Sequence, residues 1–325
     1  MANGALITAA LIIVLAISLA WYVSSSTIEE NTFANRKLLK KDMDLPVIWL
    51  YVDTSHVNSR YWSDFMGRSS RAINLPFLNL CYETIVKQNQ GRYRVEVVGG
   101  LSDVAVRLGG WEKLPTPLQN PIAPVGPAEL NWIRAALLSR FGGLWLEPNT
   151  IALKSFGPLP SDKVVLFGTD DQETYSGPLG TKAPSLRALW APKADHPFFI
   201  EWEGQAKRRL EAPGEGKAFR NDSISDVLEF AEQYKSEVVY RPIAELRRKP
   251  NGKLIQLDDL MMAGQEGDLP FVIHEQSVYV PIPIDELLSR REYGWFTRMS
   301  EEQILESDLV ISSLFRNAIP EVKGA

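Results

Sequence analysis

Four side chains in one short stretch have the types and spacing to grip a charged ligand: Asn131, Arg134, Glu147 and Asn149. Asn131 and Arg134 lie one helical turn apart and share a face with Leu138. That face is separate from the Leu130, Ile133, Leu137 and Phe141 stripe, so an amide and a guanidinium project together. Glu147 and Asn149 follow the apolar run Leu144-Trp145-Leu146, at the carboxyl end of the strand it predicts. Open α/β sheets bind their ligands at that end. Alternate residues there can both offer oxygens to a hard cation. The structural alternatives are a polar strand end closed by a proline turn and an arginine packed along its helix by its stem.

The elements needed to position these groups are legible around them. A helix is predicted over residues 128–141, ended by Gly142-Gly143, and the strand after it is cut off by Pro148. Upstream, Val47 to Val52 is a nearly continuous apolar run ending in Asp53, the pattern of a buried strand. Leu78, Leu80, Cys81, Thr84 and Ile85 recur at helical spacing, and residues 93–98 alternate as a second strand, so a parallel crossover is expected. The Pro-rich connector from Leu114 to Pro127 reads as a loop over the sheet, because prolines lack donors and fix φ. Downstream, strands are expected at 164–167 and 238–240 and helices at 196–209 and 224–234.

Composition excludes several chemistries. A net charge of -5 and a pI near 5.5 leave no basic surplus for a phosphate backbone, so nucleic acid is not an expected partner. Cys81 is the only cysteine, which removes an intramolecular disulfide and a cysteine-based zinc site. His56, His196 and His274 lie far apart, so any divalent metal has to sit on oxygen ligands. His196-Pro197 reads as a turn-and-packing element, and Asp170-Asp171 as a solvated loop pair.

Ala5 to Val23 runs without a charge and at about 1.5 Å per residue spans a hydrocarbon core of about 30 Å. Trp21 and Tyr22 sit at its interfacial edge. A cleaved signal peptide is the rival reading, given Ser24-Ser25-Ser26, but no basic region precedes the apolar run. Arg36, Lys37, Lys40 and Lys41 follow the helix, which orients the large domain toward the cytosol. Lumenal orientation is the alternative, and there the sequon Asn221-Asp222-Ser223 would matter. The expected organisation is thus an anchor at 1–23, a stalk at 24–44, and one α/β domain at 45–325 with a C-terminal helical extension.

The stretch from Ala128 to Thr150 resembles the DxD-type sugar-binding glycosyltransferases, including the capsular polysaccharide synthesis and mannosyltransferase-like relatives. In those families a helix reading roughly S-D-x-x-R leads through Y-G-G-I-Y/W-L-D into D-x-D. Arg134 falls on the family arginine, Gly142-Gly143 on the paired glycines, Asn131 on the helical Asp, and Glu147 and Asn149 on the two DxD acids. Ile48-Trp49, Asn79 to Val98, Trp190 to Phe199 and the segment from Met299 to Arg316 are also similar to family segments. The resemblance implies an A-type glycosyltransferase fold, Rossmann-like with a mostly parallel sheet, and transfer of a sugar from a nucleotide-sugar donor to a glycan acceptor. It further implies that Glu147, helped by Asn149, holds Mn or Mg against the diphosphate, that Asn131 and Arg134 contact the donor, and that Asp53 meets its base or ribose. Asn131, Glu147 and Asn149 each stand where the family has Asp, and two of the three carry no charge. Loss of a carboxylate weakens metal affinity. The competing expectation is therefore a non-catalytic protein of the same fold, serving as a structural or assembly subunit of a membrane-bound complex or particle.

Overall fold

The computed structural model describes residues 44–52, 75–121, 124–169, 184–212, 223–249, 251–264 and 269–319. They belong to one compact unit, Asp44–Ala325. The expected anchor at 5–23, nearly all of the stalk, Asp53, His56, Asp170, Asp171, Asn221 and Asp222 lie outside the described residues. No helix among the described residues is long and apolar enough to cross a membrane.

Strand β1 (Val47–Val52) leads through helix α1 (Pro76–Asn89) into β2 (Arg94–Gly99). The two strands pair in parallel from Val47 against Arg94 to Val52 against Gly99. Helix α2 (Gly100–Leu108) and the short α3 (Thr116–Gln119) precede α4 (Pro127–Phe141). Then come β3 (Gly143–Leu146), β4 (Thr150–Ala152), β5 (Val164–Thr169), β6 (Pro184–Ala191), α5 (Pro197–Glu211), α6 (Ser223–Gln233) and β7 (Val238–Glu245). The C-terminal part adds α7 (Leu257–Met261), β8 (Tyr279–Pro281), α8 (Ile284–Ser289), α9 (Glu301–Glu306) and α10 (Val310–Ala318).

The strands form a mixed sheet in the order β2-β1-β3-β6-β5-β7-β8-β4. The pairs β1–β2, β1–β3, β5–β7 and β7–β8 are parallel, whereas β3–β6, β5–β6 and β4–β8 are antiparallel. The connection from β3 to β4 shows that this sheet is not flat. Four Cα steps from Leu146 to Thr150 reach at most about 15 Å, yet five strand spacings at about 4.8 Å would separate β3 from β4 by about 24 Å. The β8–β4 end therefore curls back over the carboxyl end of β3. The junction that permits the curl is a single register pair, Glu245 with Tyr279.

Both faces of the sheet are covered. Val47, Trp49 and Tyr51 pack with Trp132 and Ile133 of α4 and with Phe198, Phe199 and Trp202 of α5. Ile48 and Leu50 pack on the opposite face with Leu144, Leu146, Val165 and Phe156. Double burial is why β1 reads as a continuous apolar run rather than an alternating one. A third cluster joins Phe77, Leu80 and Cys81 of α1 to Ile151, Val280 and the C-terminal helices. Cys81 is wholly buried, and burial pushes its thiol far above the ordinary range.

Three expectations are corrected. The Pro-rich connector is not all loop: Thr116–Gln119 is a helical turn, because Pro117 sits in its first turn, where the missing N–H costs nothing. Helix α4 has no separate polar face, since every residue from Asn131 to Ser139 is buried between the sheet and its neighbours, while Phe141 of the expected core stripe is 40% exposed. Strands β4, β6 and β8 were not expected. The first and last are three residues long, and β6 opens with the polar alternation Ser185, Arg187.

His196 caps α5. Its Nδ1 accepts the Phe198 backbone N–H at 3.3 Å, and its Nε2 lies 3.2 Å from Glu237. Burial holds the imidazole below its ordinary range, against the opposing pull of Glu237. The unfolded chain thus binds a proton that the folded chain resists, so stability is present above the unfolded histidine range and falls as pH drops toward the folded value. The melting temperature is expected to decline from about pH 7 to about pH 5 more steeply in the wild type than in His196→Asn, which keeps a capping side chain but cannot titrate. Superimposable profiles would remove His196 as the source.

Candidate functional site

Helix α4 is stopped by Gly142, whose N–H donates to Leu138 O at 3.0 Å. The chain reverses through Gly142 at φ 67° and Gly143 at φ 96°, conformations that favour glycine. The turn is also sterically tight: a Cβ on Gly143 would lie 2.7 Å from Val47 O. Trp49 Nε1 seals it by donating to Gly142 O at 2.8 Å. This junction sets α4 beside β3 and brings Arg134 over the ring of Trp145, with 5.3 Å from guanidinium carbon to ring centroid.

Beyond β3, Glu147 extends the ladder by one bond, its N–H donating to Arg187 O at 3.0 Å. Alternation from Trp145 turns its side chain to the α4 face. One carboxylate oxygen lies 3.4 Å from Arg134 Nη2, the other 3.1 Å from Arg187 Nε. Arg187 also pairs through Nη1 with Glu245 at 3.0 Å. Glu245 is fully buried and accepts further bonds from Ser185 and Tyr279. The result is an alternating chain of Arg134, Glu147, Arg187 and Glu245 in which formal charges balance.

Burial pulls the Arg134 guanidinium down to about 10; Glu147 opposes this and Arg187 reinforces it. It remains charged at neutral pH. For Arg187 burial acts downward, but Glu245 and Glu147 together outweigh it and hold the group above its ordinary value. The Arg187 side chain is 35% exposed and Glu147 21%, against 5% for Arg134. Arg187 is thus the member of the chain most open to a ligand, and it lines a cleft of about 180 Å³ with Arg247, Gln256, Pro281, Pro283 and Glu286.

Of the residues expected from sequence, Arg134 and Glu147 are brought together. Asn149 faces elsewhere: its Nδ2 donates to Ile282 O at 2.6 Å, its backbone carbonyl accepts Ile282 N–H at 2.8 Å, and it is 8% exposed. The curl of β8 over the strand tip is what covers it. Asn131 is buried, with Oδ1 lacking a hydrogen-bond partner. Asp53 lies outside the described residues. Arg187, Glu245 and Arg247 were not anticipated. The available signal was the Ser185, Arg187 alternation opening an apolar strand.

As a site for Mn or Mg this donor set does not fit. Both oxygens of Glu147 face guanidiniums, Asn149 is tied to Ile282, and no group of three or more His, Cys, Asp or Glu among the described residues is arranged to hold a metal. A hard cation would have to displace two arginines from the one carboxylate it needs.

Neither a protein-family model nor any curated protein matches the chain. Among solved structures it is similar to the PaToxG glycosyltransferase, with 12% identity over 58% of this chain and 69% of that one and a TM-score of 0.34. It is also similar to an active-site mutant of LgtC, with 12% identity over 77% and 94% of the two chains and a TM-score of 0.36. At superposition scores this low, neither likeness carries a conclusion about fold or activity.

Proposed function

We propose that this chain is a glycosyltransferase-like protein that transfers a sugar from a nucleotide-sugar donor to a glycan acceptor, tethered to a membrane through residues 5–23. The observation that carries the reading is Glu147 at the carboxyl end of β3, held by Arg134 from α4 and Arg187 from β6 beside an open cleft. That is the end of an α/β sheet at which ligands bind, and guanidinium forks suit phosphate oxygens. In the reaction the bond from the anomeric carbon to the donor phosphate oxygen breaks. A bond from an acceptor hydroxyl oxygen to that carbon forms, and the hydroxyl proton leaves with the nucleoside diphosphate or to solvent. Arg187 and Arg247, which line the cleft, offset charge on the diphosphate as it departs, while buried Arg134 positions Glu147.

The test is a panel of UDP- and GDP-sugars, scored for release of nucleoside diphosphate and for a rise in melting temperature. A donor that binds the native state at about 100 times its Kd stabilises it by about 2.7 kcal/mol. At least one donor is expected to give both signals, and Arg187→Gln to lose them. Silence across the panel would sink the transferase reading and favour the non-catalytic subunit, which the burial of Asn149 against Ile282 also suits.

A further inference from the structure

We infer that the cleft beside β3 binds a diphosphate through the guanidiniums of Arg187 and Arg247, without a divalent metal ion. The identity of the ligand as part of a nucleotide sugar rests on the function proposed above; the anion chemistry does not. Arg247 directly follows Leu246 at the end of β7, and its backbone carbonyl is fixed by Ile255 N–H at 2.7 Å. Its side chain lines the cleft opposite no carboxylate partner: among the described residues Arg247 makes no ion pair. Glu286, the acid in the same lining, is engaged by Arg290 at 2.5 Å. Among the described residues the cleft therefore presents one guanidinium without an ion pair, Arg247, and a second, Arg187, that is a third exposed and already shared between two acids.

An anion entering there gains Arg247 outright and competes with Glu147 for Arg187. Glu245 stays bound to Arg187 from the buried side, which keeps the guanidinium aimed outward. Size agrees with a small ligand: about 180 Å³ is below the roughly 300 Å³ at which a pocket buries a whole drug-sized molecule, so the cleft takes the diphosphate and leaves the rest of its carrier outside. Leu254, Ile255 and Val280 wall the remainder, which lowers the local dielectric and strengthens the charge-assisted bonds.

The probe is inorganic pyrophosphate, titrated by calorimetry into the full chain in excess EDTA and again with Mn. Binding is expected in EDTA, with Mn adding less than about tenfold, and Arg247→Gln is expected to weaken it by about tenfold, the loss of one charge-assisted contact. Arg247 is half-buried and makes no ion pair among the described residues, so this variant keeps the fold. Glu147→Gln supplies a second sign. It frees Arg187, so pyrophosphate affinity should hold or rise, whereas a metal-bridged site would lose its ligand and its affinity. Binding that requires Mn, or an Arg247→Gln variant indistinguishable from wild type, would overturn the inference while leaving sugar transfer standing. Pyrophosphate binding in EDTA with no response to any sugar donor would uphold the inference and defeat the transferase reading.

Discussion

Gly143→Ala should lower stability by about 2–6 kcal/mol, a large share of the ~5–15 kcal/mol that holds a domain together. Two costs combine. The backbone at φ 96° is one that a residue with a Cβ adopts only under strain. The new methyl would also sit 2.7 Å from Val47 O and 3.1 Å from Trp49 Nε1. Neither neighbour can yield cheaply, because Val47 opens β1 in register with β2, and Trp49 Nε1 is committed to Gly142 O. Gly91→Ala is the control. Gly91 has φ 73°, and a methyl added there would meet nothing within 4 Å, so its loss reports conformation alone, about 1–2 kcal/mol. Urea unfolding of the two variants separates the terms. Equal losses would mean that the close approach of α4, β3 and β1 does not set the junction on which Glu147 depends.

What the sequence disclosed follows from which interactions are local. The β1 run from Val47 to Val52 was legible because burial on both faces leaves a single kind of residue along the strand. The end of α4 was legible because Gly142 stops it, whereas Pro127, read as the last residue of the connector, is its first residue. Its faces were not, since a helical wheel assumes one wet side, and α4 has none between Asn131 and Ser139. In the same way the proximity of Arg134 and Glu147 was carried by the short helix, glycine pair and strand that join them. Arg187 and Glu245 reach the same point only through the pairing of β6 with β3 and of β5 with β7. The tether of Asn149 to Ile282 spans 133 positions. Sequence spacing identified an acid where metal chemistry could reside, but the cations that occupy its oxygens came from tertiary structure.

Glu147→Ala is expected to cost about 2–4 kcal/mol, less than the full penalty for breaking a wholly buried pair because the carboxylate is partly exposed. The loss falls on Arg134 rather than on Glu147 itself. With its side chain 5% exposed and Nε lacking a hydrogen-bond partner, Arg134 would retain, among the described residues, the Trp145 ring as its charge partner. A cation–π contact offsets about 1–2 kcal/mol of that desolvation. Arg134→Met should be milder, about 1 kcal/mol, because Glu147 keeps Arg187 and some water. The double variant, Arg134→Met with Glu147→Ala, should then be more stable than Glu147→Ala alone, with a coupling of about 1–3 kcal/mol in urea unfolding. Recovery of stability on removing the second charge would identify a stranded guanidinium as the cause of the first loss. Simple additivity would instead mean that the two side chains act independently, and the picture of β3 ending in a charge-balanced relay of arginines and glutamates would fail.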